Sequence, residues 1–167
     1  MKRLLLLDFK DYTAEMPVFK KHSVRAIIMK NGRVAMQQSS SGFFKILGGV
    51  VEDGESHEET LVREVEEEGG LIVKPGSIRE IGYIEERRRD VFDSEKTYIC
   101  YTYFYSCEAE DYEVSLKLTA SEIARGYHMV WAAPENIVET NTALLKEAWR
   151  LRDTEFIKML AEGKLDD

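Results

Sequence analysis

Residues Gly49 to Leu71 read GVVEDGESHEETLVREVEEEGGL, and the spacing within this stretch sets the architecture around it. Ser56 followed by Glu59 has the form of a capping box, which predicts a helix beginning at His57. Gly69 and Gly70 supply its stop signal. At about 100° per residue, Glu64, Glu67 and Glu68 share one arc of that helix. Leu61, Val62 and Val65 form the neighbouring apolar stripe, which has to face a core. The predicted helix therefore packs on one side and presents three carboxylates on the next.

Folding alone does not ask for that arrangement. Like charges three and four residues apart repel by a few tenths of a kcal/mol per pair. Carboxylates near a helix C-terminus also oppose the macrodipole. A hard divalent cation relieves both costs, and Mg²⁺ or Mn²⁺ suits clustered carboxylate oxygens. Glu58, Glu59 and Glu66 read as an ordinary solvated face, whereas Glu64, Glu67 and Glu68 read as metal ligands. A calcium loop of the EF-hand type is excluded, because Glu52-Asp53-Gly54 lacks its alternating ligands.

Written as a pattern, the stretch is Gly-x5-Glu-x7-Arg-Glu-U-x-Glu-Glu-x-Gly-U, with U a bulky aliphatic and every fixed position filled. It resembles the signature box of Nudix hydrolases, which cleave nucleoside diphosphates linked to another moiety. The resemblance implies an α/β/α sandwich, of α/β (α+β) class, with a mixed β-sheet between helices. It assigns the Gly49 carbonyl to the metal beside Glu64, Glu67 and Glu68, Arg63 to orienting a neighbouring glutamate, and Glu55 to a supporting position behind the ligands. The general base varies in such enzymes: Glu64 is one candidate. Glu122, in Thr119-Ala-Ser-Glu-Ile-Ala, is the other, with a helix-start glutamate as its plain alternative. Glu108 and Glu110 are weaker rivals. Where many members have Pro-Gly-Gly, this chain has Leu47-Gly48-Gly49.

Arg25 and Lys45 are candidate phosphate contacts, and Phe43 a candidate base contact, as are Phe44, Tyr83 and Tyr127. The Arg87-Arg88-Arg89 run could also meet phosphates, but reads first as a solvated strand end. His57 is expected to be exposed. Subfamily marks are absent: Arg79 to Phe92 holds no proline, and its only tyrosine, Tyr83, lies too close to the box. The substrate therefore stays open among nucleoside triphosphates, nucleotide sugars and related diphosphates. A Nudix-fold module that senses a nucleotide without cleaving it is the alternative, although such modules usually lose box carboxylates.

The rest of the chain is consistent with one small domain spanning residues 1–167. A net charge of −8 argues against general binding of nucleic acid backbone. Leu4 to Leu7 is too short an apolar run for a signal or membrane segment and reads as a first strand. Cys100 and Cys107 form no metal or redox motif and fit free thiols in a reducing cytoplasm. Strands are predicted over Ser23–Met29, Arg33–Gln38, Phe44–Leu47, Ile78–Glu86, Thr97–Ala109 and Tyr127–Trp131, with an Asn31-Gly32 hairpin turn. Pro134 opens a short helix. An amphipathic helix is expected over about 142–161. Its Leu144, Leu145, Ala148, Leu151, Phe156, Ile157 and Leu160 would suit a homodimer or, equally, the chain's own sheet.

Overall fold

The computed structural model describes residues 1–146 and 148–165, with the backbone alone at Ala148 and Trp149. In chain order the elements are β1 (Arg3–Asp8), β2 (Val18–Ile27), β3 (Met29–Lys30), β4 (Arg33–Gln38), β5 (Phe44–Ile46), α1 (His57–Gly69) and β6 (Leu71–Val73). There follow β7 (Arg79–Arg89), β8 (Thr97–Ser106), β9 (Ala109–Glu113), α2 (Ala120–Ala124), β10 (His128–Ala132), α3 (Pro134–Ala143) and α4 (Ala148–Ala161).

The larger sheet is mixed and runs β1-β7-β8-β2. Its outer pairs, β1 with β7 and β2 with β8, are parallel, and the central hairpin β7-β8 is antiparallel. A second sheet runs β10-β4-β3, with β5 paired to β4. Its β3-β4 hairpin turns through Asn31 (φ 51°) and Gly32 (φ 72°), the left-handed pair that a two-residue turn requires. The free edge of β2 joins the two sheets. Val24 N–H donates to the Gly49 carbonyl and Ala26 N–H to the Leu47 carbonyl, both at 2.9 Å, so β2 lies between β8 and the glycine loop.

Alternate residues of these strands feed two cores. Val24, Ala26, Ala35 and Leu47 pack with Leu61 and Val65 of α1 on one face. Ile27, Val34, Met36, Ile46 and Phe104 pack with Ile137, Phe156 and Ile157 of α3 and α4 on the other. Helices thus cover both faces, giving the expected mixed α+β sandwich. Phe104 and Phe156 stack at 3.9 Å. The apolar face of the last helix is therefore used at Phe156 and Ile157 within its own chain. Ala148, named with that face, lies outside the described side chains.

Three elements differ from expectation. The predicted strand Thr97–Ala109 stops at Ser106, where Cys107 N–H donates to the Ile27 carbonyl; the chain then turns away to pair β9 with β6. Three-residue β6 is too short to show a period in the sequence. The helix expected over about 142–161 begins later, as α4 at Ala148, because its first two positions belong to α3, the helix that Pro134 opens. Asn141 is fully buried and its amide brackets the Phe44 backbone, donating to its carbonyl and accepting from its N–H, both at 2.9 Å. That anchor ends α3 on the sheet, and Arg150 closes the turn by donating to the Leu144 carbonyl at 3.1 Å. No helix among the described residues is long and apolar enough to cross a membrane.

Candidate active site

Helix α1 begins as its sequence predicts. The Ser56 hydroxyl accepts from Glu59 N–H, and Glu59 accepts from Ser56 N–H. At the other end Gly70 is left-handed (φ 63°) and donates back to the Glu66 carbonyl. With Leu61 and Val65 fully buried, Glu64, Glu67 and Glu68 are aimed at the glycine loop.

The loop fits against the helix because it lacks side chains. A Cβ on Gly48 (φ 139°) would stand 2.1 Å from the Val24 carbonyl oxygen. A Cβ on Gly49 would stand 2.1 Å from Glu64 Oε1, so the carboxylate lies directly on the loop backbone. Gly48 N–H donates to Glu68 Oε2 at 2.9 Å. Glu68 Oε1 takes the Lys45 ammonium, whose Nζ also lies 3.7 Å from Glu122 Oε1. Glu68 is buried, and burial pushes its carboxyl up to about 7 against the pull of Lys45 and Gly48 N–H. Burial also raises Glu122, but the Thr119 N–H, a hydrogen bond with Glu68 and Lys45 outweigh it and hold Glu122 below the ordinary range. Burial raises Glu64 despite the opposing Arg63.

Arg63 makes a two-pronged contact with Glu55, through Nε to Oε1 and Nη2 to Oε2, both 2.8 Å. Its Nη1 reaches Glu64 at 2.9 Å and Glu67 at 3.4 Å. Glu55 also accepts from the Thr60 hydroxyl at 2.8 Å. The Arg63 hydrogen bonds, with help from Thr60, hold the Glu55 carboxyl down at about 2. Stability contributed by Glu55 is therefore present above the ordinary glutamate value of about 4.3 and is lost as the pH falls towards that lowered value. We expect Glu55→Gln to lower stability at pH 7, with the gap from wild type closing between about pH 4.5 and pH 2. Urea melts across that range measure it; a gap that does not depend on pH would count against the assignment.

The donor set suits a hard cation: carboxylate oxygens from Glu64, Glu67 and Glu68 beside the Gly49 carbonyl, which also accepts from Val24 N–H. Two cationic groups, Arg63 and Lys45, already lie against these carboxylates, which shows that the cluster needs compensating positive charge. Among the described residues no three Asp, Glu, His or Cys side chains converge into a metal-ready group. Ligation would thus require Glu64 and Glu67 to turn from Arg63.

These groups line one end of a cleft of about 870 Å³. Of the other candidates, Arg25 and Lys45 line it, although Arg25 is 6% exposed and held by Asp153 at 3.4 Å. Phe43 does not line it: it lies just before β5, and its ring is fully buried beneath the Arg150 guanidinium, 4.5 Å away. Phe44 and Tyr127 are buried as well, and Tyr83 lies on the opposite face with Tyr101 and Tyr103. His57 is half-buried instead of exposed, bonded through Nδ1 to the Tyr105 hydroxyl at 2.7 Å, and burial lowers its pKa.

Several lining residues were not singled out in the sequence: Phe19, Lys21, Phe92, Tyr98 and Arg152. Phe19, Lys21, Ser23 and Arg25 alternate along β2, and that period was the signal available, hidden because the predicted strand began at Ser23. Arg88 enters the cleft from the arginine run, pairing with Glu86 at 2.7 Å.

A profile for the NUDIX domain matches residues 20–157. Solved structures with a similar fold include a NUDIX hydrolase from Nitrosomonas europaea (TM-score 0.61, 19% identity, 88% of this chain and 92% of that one). An ADP-ribose pyrophosphatase from Streptococcus suis is similar at TM-score 0.58 and 16% identity, covering 88% and 93%. The MutT protein from Bacillus halodurans is similar at TM-score 0.54 and 20% identity, covering 84% and 82%. No curated protein matches the sequence.

Proposed function

The chain belongs to the Nudix family and is a hydrolase of the pyrophosphatase type, and from that premise we propose that it cleaves, with Mg²⁺ or Mn²⁺, a nucleoside diphosphate linked to another moiety. The observation that carries this reading is the opposition, within one cleft, of the acidic face of α1 and a wall containing Lys21, Arg25, Arg88 and Arg152. Such a cleft attracts a polyanion at one end and holds a cation at the other.

Glu64, Glu67 and Glu68, with the Gly49 carbonyl, would hold the metal. Once bound, the cation would neutralise the diphosphate and make a nearby water easier to deprotonate. Lys45 stands beside the same carboxylates and would meet the phosphate oxygens. Arg63, anchored on Glu55, pairs with Glu64 and Glu67 and would yield them to the cation. The base must reach the attacking water, and its pKa should lie near the working pH. Burial raises Glu64 in that direction, whereas Glu122 is held down and engaged by Thr119, so Glu64 is the favoured base. A small-molecule substrate suits a cleft of this size.

The test is incubation with Mg²⁺ or Mn²⁺ and a panel of nucleoside triphosphates, nucleotide sugars and dinucleotides, with products separated by chromatography. Phosphoanhydride cleavage that stops on chelation is expected, together with Mn²⁺ binding seen by calorimetry. Nucleotide binding without turnover would instead support the sensing module.

A further inference from the structure

The cleft continues beyond the residues that handle phosphate, and its far end is aromatic. On the cleft side of the larger sheet, Phe19 of β2, Tyr98 of β8 and Arg88 of β7 are direct cross-strand partners, forming one rung. The Phe19 and Tyr98 rings lie 6.1 Å apart at 41°, and the Arg88 guanidinium lies 4.1 Å over the Tyr98 ring. Arg88 is fixed in turn by the buried Glu86. Phe19 is nevertheless 45% exposed, and Phe92, on the loop joining β7 to β8 at the cleft rim, is 96% exposed. Two phenylalanine rings left in water inside a concave site have no folding role that requires it.

Position along β2 fixes the scale. Ser23 bridges Val50, next to the glycine loop, and Phe19 lies four residues earlier on the same strand. Four residues of extended chain span about 13 Å, which suits the separation between the phosphates and the base of a nucleoside diphosphate. Between them Lys21 faces the cleft.

We infer that the Phe19–Tyr98–Arg88 rung, with Phe92 above it, is the specificity-determining subsite, stacking the planar aromatic base of a substrate whose phosphates lie at the Glu64–Glu68 end. This rests on the proposed hydrolase reading and assigns the base of its nucleoside diphosphate to named residues. Arg88 stacked on Tyr98 makes the platform electron-poor and rigid, and stacking tolerates different bases because each has a π-face.

Calorimetry on the full chain with two non-hydrolysable probes tests it: α,β-methylene-ADP, which carries a base, and methylenebisphosphonate, which does not. Phe19→Ala is expected to weaken the first about 5- to 100-fold while leaving the second unchanged, and Phe19→Trp to restore binding. Phe92→Ala, at a fully solvated position, should act in the same direction without altering the melting temperature. Equal losses for both probes, no loss for either, or no binding of α,β-methylene-ADP to wild type would overturn the inference. Binding that depends on Phe19 without hydrolysis of any panel substrate would remove the catalytic reading and leave the subsite standing. Hydrolysis indifferent to Phe19 would do the reverse.

Discussion

Glu67→Gln is expected to lower turnover by about two to three orders of magnitude and to weaken Mn²⁺ binding in the same protein. The side chain is the most accessible of the three box carboxylates, 35% exposed, and its one partner on the helix is Arg63 at 3.4 Å. It makes no contact that the fold depends on, so the variant should melt at the temperature of wild type within a degree or two. Glutamine keeps the shape and one oxygen and removes the charge, so the comparison isolates charge. A variant that loses activity but binds Mn²⁺ as tightly as wild type would shift Glu67 from ligand to substrate contact. A fully active variant would remove the box cluster from the mechanism.

The second large effect concerns stability. Asp153 is fully buried on α4 and accepts from Arg152 Nε at 3.2 Å, Arg25 Nε at 3.4 Å and Ile46 N–H at 3.3 Å. Burial pushes its carboxyl up, but the two guanidiniums outweigh that and hold it below the ordinary range. Asp153→Ala leaves buried Arg25 without its carboxylate and Arg152 with the more distant Glu86 at 3.8 Å, a loss of about 3–5 kcal/mol, or about 6–20 °C in melting temperature for a domain of this size. Asp153→Asn retains an acceptor for Ile46 and should fall between wild type and alanine. Thermal and denaturant melts measure both. A cost below about 1 kcal/mol would mean that the cluster is far more hydrated than its burial indicates.

How much could be read in advance follows the range of the interactions. The box helix, its capping residues and its C-terminal glycine are set within a few residues, so Ser56, Glu59 and Gly70 announce them in the sequence. The clasp of Arg63 on Glu55 spans eight residues and was recoverable only through the family pattern. Asn141 bracketing Phe44 spans ninety-seven, and no local period anticipates that it ends a helix. Phe43 was misplaced for the same reason: an aromatic beside a strand gives no sign of which face it joins until the register is known. The basic wall was hidden because Arg152 and Asp153 sit within a helix whose polar positions looked merely solvated.

The seam between β2 and the glycine loop has a kinetic consequence. Val24 and Ala26 are fully buried, and their amides are the groups that hold the loop. Amides of that kind exchange with solvent only when a large part of the fold opens, so the glycine loop shares the lifetime of the native state and does not fray by itself. That end of the cleft is therefore the rigid one, whereas the β7-β8 loop at the other rim is solvated and leaves Phe92 unburied.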